Sequence, residues 1–153
     1  MISDSSRFYG AVLVQLLDEN SGGIHFEKLF DGVSGFFLIN KTTPLYIKYT
    51  SKRRGPWTFN LRYEHMQKCS DAVQVYGQCV IAFVCGGDGV VGIGYEVIKQ
   101  IISDKVEQQA VSVRRKLNHM YGIHGKNGEL DRKISRGSLG SILLKANNGK
   151  TCQ

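Results

Sequence analysis

A run of seven apolar residues near the middle of the chain constrains the fold more than any other feature. Residues 79–85 read Cys-Val-Ile-Ala-Phe-Val-Cys, with no polar side chain to face water. A strand of this composition is typical of a sheet position that is covered on both faces. Residues 86–89 read Gly-Gly-Asp-Gly and predict a tight turn, after which residues 90–95 return as an antiparallel partner. The chain therefore needs a layer on each side of a sheet.

A second pair of strands and three helices complete the predicted architecture. Aromatic and β-branched residues at 36–40 and 44–49 flank a Lys-Thr-Thr turn, which predicts a β-hairpin. Apolar residues at helical spacing predict helices over residues 6–19, 64–76 and 96–109. Together these elements predict an α/β fold in which a central mixed sheet with antiparallel hairpins is flanked by helices.

The length of the chain predicts one domain. The chain has 153 residues, and we expect a single α/β domain over residues 1–144 with a flexible tail over residues 145–153. No apolar run approaches the ~18 residues of a membrane span, and no basic segment followed by an apolar one opens the sequence. We therefore expect a cytoplasmic protein without a membrane partner.

Positive charge is in excess and is clustered. The chain carries 20 Lys and Arg against 13 Asp and Glu, for a net charge of +7. Such an excess predicts a polyanionic partner, although a solvated basic surface remains the alternative. Trp57 is either a stacking platform for a base or an anchor in the core. The predicted nucleic-acid-binding residues are Lys52, Arg53, Arg54, Trp57, Arg114 and Arg115.

Three residues near the predicted hairpin carry a family resemblance. Lys48 ends the hairpin strand, Tyr46 lies two positions before it, and Asp31 lies in the preceding turn. With the order of elements over residues 6–85, they resemble the core of the PD-(D/E)XK, or restriction-endonuclease-like, nuclease superfamily. That core is a helix, a three-stranded meander, a helix and a strand, with one acid in the second strand and an acid-x-lysine triplet in the third. Asp31 matches the first acid and Lys48 the lysine, but Tyr46 stands where the triplet has its acid.

The resemblance implies a magnesium-dependent site. Carboxylates of such nucleases hold Mg²⁺, and the lysine orients water or stabilises the charged transition state. The catalytic candidates are Asp31, Lys48 and Glu64, of which Asp31 and Glu64 are the candidate metal ligands, with Glu19 as a further carboxylate. The alternative makes Asp31 a turn residue and Glu64 a residue that favours the N-terminus of a helix.

These observations predict a nucleic-acid-binding α/β domain, with DNA as the expected ligand, that is related to metal-dependent nucleases and catalytically degenerate. Two alternatives stay open. One is an interaction subunit or homodimer whose basic patch meets an acidic partner protein. The other is an active Mg²⁺-dependent endonuclease with rearranged carboxylates.

Overall fold

The computed structural model describes residues 1–143, so the tail expected over 145–153 lies outside the described residues. Within residues 1–143, no helix has the length and apolar character needed to cross a lipid bilayer. The helices and strands follow in chain order: α1 (Asp4–Asp18), β1 (Phe26–Lys28), β2 (Phe36–Ile39), β3 (Thr43–Thr50), β4 (Trp57–Arg62), α2 (Tyr63–Tyr76), β5 (Val80–Cys85), β6 (Gly89–Gly94), α3 (Tyr95–Ile98), β7 (Gln108–Arg114), β8 (Gly122–Gly125) and β9 (Gly128–Glu129).

Five strands form the first sheet, in the order β1-β2-β3-β5-β6. Strands β3 and β5 are parallel, and the other neighbours are antiparallel. This confirms the predicted mixed sheet with its two hairpins. The order α1, β1 to β3, β4, α2 and β5 contains the helix, meander, helix and strand of the resemblance, with β4 as an additional strand before α2.

Strand β5 is buried along its whole length, as predicted for a strand covered on both faces. Ile81 and Phe83 face a cluster that contains buried residues of α2 and of a second sheet. Val80 and Val84 face the other cluster, where Val12 of α1 packs. The first sheet is therefore sandwiched between α1 on one face and α2 with the second sheet on the other.

The C-terminal part of the described chain packs closely against β6. Ser138 Oγ accepts a hydrogen bond from the backbone N–H of Gly92 at 2.9 Å. A Cβ atom at Gly92 would overlap the backbone of Leu139, so only glycine permits this approach.

The second sheet was not predicted from the sequence. Its order is β4-β7-β8-β9, and β4 pairs antiparallel with β7 from Trp57 opposite Val113 to Arg62 opposite Gln108. Burial alternates strictly along β4, as expected for a strand with one face in the core. Its inward residues are Trp57, Phe59 and Leu61, and its outward residues are Thr58, Asn60 and Arg62.

The helix predicted over residues 96–109 is wrong beyond its first turn. Helix α3 ends at Ile98, and Gln108 already begins strand β7. The Gln109 side chain accepts a hydrogen bond from the Ser103 N–H at 2.8 Å and donates one to the Ser103 carbonyl at 2.6 Å. These two bonds satisfy the backbone of a turn at Ser103 and reverse the chain, so the apolar residues near α3 are buried without a continuous helix.

We expect Ile81→Asp to abolish folding. Ile81 is fully buried in the middle of β5, and an unpaired buried carboxylate costs several kcal/mol against a typical net stability of about 5–15 kcal/mol. Thermal unfolding followed by circular dichroism measures the effect. The matched control is Val75→Asp on α2, where the side chain is 74% exposed and the change should be tolerated. A cooperatively melting Ile81→Asp protein would contradict the assignment of β5 to the core.

Candidate nucleic-acid interface

The three catalytic candidates, Lys48, Asp31 and Glu64, lie on different elements of the structure. Lys48 lies on β3 and is half-buried, whereas Asp31 is exposed in the turn before β2. Glu64 lies in the first turn of α2, where its carboxylate pairs with the Arg62 guanidinium at 3.0 Å. Within residues 1–143, no group of three or more His, Cys, Asp or Glu side chains is placed to hold a metal ion. Metal binding by Asp31 and Glu64 therefore stays a prediction.

Tyr46 occupies the position of the missing acid and is buried in the core. Its ring stacks on Phe36 with centroids 4.1 Å apart, and its hydroxyl is 2.8 Å from His65 Nδ1. Burial is the largest of the effects that raise the pKa of Tyr46 far above its usual value. The phenol is thus neutral and supplies no anionic ligand to a cation.

The surroundings of Lys48 are positive rather than negative. Burial lowers the pKa of Lys48, and the charge of Arg62 lowers it further, with no carboxylate opposing them. Burial and then the charge of Lys48 lower the pKa of His65, whereas the charge of the Glu64 carboxylate opposes them. The sequence carried no spacing signal for His65, because it meets Tyr46 from 19 positions away.

The two basic clusters predicted from the sequence lie side by side. Because Trp57 pairs with Val113, the loop before β4 lies against the residues that follow β7. Together they line a groove of about 750 Å³, which we call the basic groove. Its lining includes Pro56, Arg114, Arg115, Lys116, His119 and Lys133. Its single lining carboxylate, Glu129, lies 3.6 Å from Lys133 Nζ.

Lys52, Arg53 and Arg54 are exposed and directly precede Gly55, which lines the basic groove. Within the described chain, none of the three forms an ion pair with a carboxylate, and Lys52 Nζ donates to the Pro56 carbonyl at 3.0 Å. Their charges are therefore available to an external anion.

Trp57 anchors this loop to the core through a hydrogen bond. Its indole N–H donates to the Lys52 carbonyl at 3.0 Å, and its side chain is only 3% exposed. Stacking on a base needs an exposed ring face. Trp57 is therefore an anchor in the core, and its ring is not open to stacking with a base.

Arg114 and Arg115 differ in what they can contact. Arg114 is exposed at the end of β7, but the Arg115 side chain is only 8% exposed. Its guanidinium donates to both Asp88 carboxylate oxygens, with Nε 2.9 Å from Oδ2. Tyr121 Oη also donates to Asp88 at 2.6 Å, and Arg136 donates to the Asp88 carbonyl at 2.6 Å. Arg115 is thus engaged in fixing the groove wall, and its contact with nucleic acid stays a prediction.

No protein-family model matches the sequence, and no curated protein matches it significantly. Among solved structures, the chain is similar to Hjc, a Holliday junction resolvase from Archaeoglobus fulgidus, an archaeal hyperthermophile. The two share 15% sequence identity with a TM-score of 0.45, over 74% of this chain and 79% of Hjc. A likeness at this level assigns no function to the chain.

We expect Asp88→Asn to lower the melting temperature by several degrees at neutral pH. The hydrogen bonds from Arg115 are the main reason that the pKa of the Asp88 carboxyl lies below its usual 3.8. Burial opposes this shift, and the hydrogen bond from Tyr121 adds to it. The carboxylate therefore stabilises the fold fully above about pH 4, and this contribution is lost as the pH falls through the lowered pKa. Melting curves at pH 7 and pH 3 should show a difference from the wild type that shrinks in acid. Asp31→Asn, in an exposed turn, is the control, and equal melting of Asp88→Asn and wild type at pH 7 would contradict this role.

Proposed function

We propose that this protein binds nucleic acid, and duplex DNA in particular, through the basic groove. The observation that carries the proposal is the pairing of β4 with β7, which joins two basic clusters that are 60 positions apart in sequence at Arg54 and Arg114. Phosphate contacts by Lys and Arg supply most of the affinity of sequence-independent binding. The net charge of +7 adds long-range attraction for a polyanion.

The proposal includes binding without efficient cleavage. A Mg²⁺-dependent nuclease needs anionic oxygen ligands. Glu64 is paired with Arg62, and a neutral, buried phenol stands at Tyr46 where the triplet has its acid. These features support a domain that has the architecture of a nuclease and retains the cationic lysine without its metal ligands.

A second candidate is an interface with an acidic protein or with another copy of the chain. Two large apolar side chains favour it, because Leu117 is 81% exposed and Met120, which lines the basic groove, is 48% exposed. Exposed apolar residues with a charged rim are typical of protein interfaces. Absence of salt-dependent oligonucleotide binding, together with a mass that rises with protein concentration, would favour this candidate.

We expect the triple variant Lys52→Ala, Arg53→Ala and Arg54→Ala to weaken duplex DNA binding and to flatten its salt dependence. Each contacted phosphate contributes about 0.9 to the slope of log affinity against log salt concentration, so the slope should fall by about two to three units. Fluorescence anisotropy with a random-sequence duplex, at several salt concentrations, measures both quantities.

A second triple variant controls for the loss of net charge. Lys41, Lys99 and Lys105 are exposed and lie outside the lining of the basic groove. Replacing all three by Ala removes the same charge and should leave most of the slope intact. Equal slopes for the wild type and the triple variant of Lys52, Arg53 and Arg54, which we call the loop variant, would exclude residues 52–54 from the interface.

We expect no robust cleavage of plasmid or oligonucleotide in Mg²⁺ or Mn²⁺, because the anionic ligands near Lys48 are missing. Cleavage is measured for the wild type, Asp31→Ala and Glu64→Ala under identical conditions. Trace cleavage of equal rate in all three proteins would indicate contamination. Robust turnover that disappears in either variant would overturn the binding proposal in favour of a rearranged nuclease site.

A further inference from the structure

The second sheet has one face that is exposed to solvent. Burial alternates along β7 as it does along β4, so every second residue of both strands points outward. The register places Thr58 opposite Ser112 and Ser112 opposite His124. Because paired residues point to the same side of a sheet, the outward residues form one continuous surface. We call it the outer sheet face, and its residues include Thr58, Asn60, Ala110, Ser112, Arg114 and His124.

The outer sheet face continues into the basic groove. Arg114 lines the groove and pairs with Gly122 across β7 and β8. A Cβ atom at Gly122 would lie 2.7 Å from Lys133 Nζ, so the Lys133 side chain, which also lines the groove, covers this row of the sheet. The next row of the same face, Ser112 and His124, lines a second cavity of about 460 Å³. Two adjacent rows of one sheet thus connect the two cavities.

The second cavity is lined by polar side chains that lack partners. Thr58, Ser112, His124 and Lys126 belong to its lining. Within residues 1–143, none of these four side chains forms a hydrogen bond or an ion pair. The cavity therefore offers hydroxyl, imidazole and ammonium groups to an external ligand.

The charges of the outer sheet face favour an anion. Arg114 and Lys126 are exposed, and within residues 1–143 no carboxylate lines the second cavity. Across β8 and β9, Glu129 is opposite His124, but its carboxylate is 3.6 Å from Lys133 Nζ. The cations of this face are therefore not offset by an equal number of free carboxylates, and a polyanion is attracted to it.

The dimensions and composition of the face fit a duplex better than a single strand. Strand β7 runs from Gln108 to Arg114, six steps of about 3.4 Å and so roughly 20 Å. This length exceeds the width of the major groove of DNA, about 12 Å, so phosphates on both sides of that groove can reach the face. Single strands are held by bases that stack on aromatic side chains. Within residues 1–143, no Phe, Tyr or Trp lines the second cavity.

We propose that the outer sheet face is a second contact surface for duplex DNA, continuous with the basic groove. Its hydroxyl, imidazole and ammonium groups contact phosphates and sugars, as such side chains do in sequence-independent binding. The inference rests on the proposed function, because it takes the ligand of the basic groove to be a duplex. It extends the contacts from the loop before β4 and the end of β7 to the exposed face of β4, β7 and β8.

The first test is a titration of the wild type with a random-sequence duplex, followed by two-dimensional ¹H–¹⁵N NMR. The backbone amides of Thr58, Ser112 and His124 should shift in a saturable way, together with that of Arg114 in the groove. One strand of the same sequence should shift them less at equal nucleotide concentration. Saturable shifts confined to the residues of the groove would overturn the proposal, and larger shifts with the single strand would overturn the assignment of a duplex.

The second test places two carboxylates on the face. Thr58→Glu with Ala110→Glu, which we call the face variant, changes exposed residues that are not directly opposite each other. Repulsion of phosphates should weaken duplex binding at least about tenfold at low salt. The matched control is Ala11→Glu with Ser21→Glu, which adds the same charge at exposed positions on α1 and in the turn after it. Helix α1 covers the opposite face of the first sheet, so the control should bind like the wild type.

Melting temperatures confirm that the face variant and its control are folded before affinities are compared. Equal duplex affinity of the two proteins would contradict the proposal. The NMR titration of the wild type decides the question if the face variant fails to fold.

The loop variant distinguishes failure of this surface from failure of the proposed function. Binding that is weakened in the loop variant and unchanged in the face variant would exclude the outer sheet face and leave the basic groove as the interface. Binding that is weakened only in the face variant would support the outer sheet face and exclude residues 52–54. A wild type without salt-dependent duplex binding would overturn the proposed function and this inference together.

Discussion

The parallel pairing of β3 with β5 is the constraint on which the rest of the structure depends. Six residues of each strand pair between Leu45 opposite Val80 and Thr50 opposite Cys85. Because β5 is apolar throughout, neither of its faces can be left to water. Helix α1 covers one face, and α2 with the second sheet covers the other. Hairpin partners then extend the sheet on both sides of this pair.

Strand β4 has a cationic region at each of its two ends. It begins at Trp57, beneath the loop of the basic groove, and ends at Arg62, whose charge acts on Lys48. Five steps of about 3.3 Å separate its ends by roughly 16 Å. That distance is less than one helical turn of duplex DNA, about 34 Å. Both ends of β4 therefore lie within the length that one helical turn of the proposed duplex spans.

Those parts of the fold that rest on local patterns were predictable. The hairpin of β2 and β3, helix α2 and the buried strand β5 all follow from periodicity and turn residues. The second sheet was missed although residues 57–62 alternate apolar and polar side chains, because its strands pair across about 50 positions of sequence and the alternation does not say which partner a strand has. The helix over 96–109 was overextended because Ile98, Ile101 and Ile102 fit a helical spacing equally well when buried in a short turn. What reverses the chain there is the Gln109 side chain, whose bonds to Ser103 leave no periodic signal.

The sequence by itself determined the helix α1, the hairpin of β2 and β3, the helix α2, the buried central strand β5 with its hairpin partner, and the presence of two basic clusters. It could not determine which cations are free, because that depends on partners far away along the chain. Asp88 engages Arg115 from 27 positions away, and His65 meets Tyr46 from 19 positions away. Both meetings are set by which strands pair and in which register, and a shift of one residue would turn every side chain of a strand to the other face. The tertiary structure alone therefore decided that Arg115 and Trp57 support the groove and that the hydroxyl of Tyr46 meets His65.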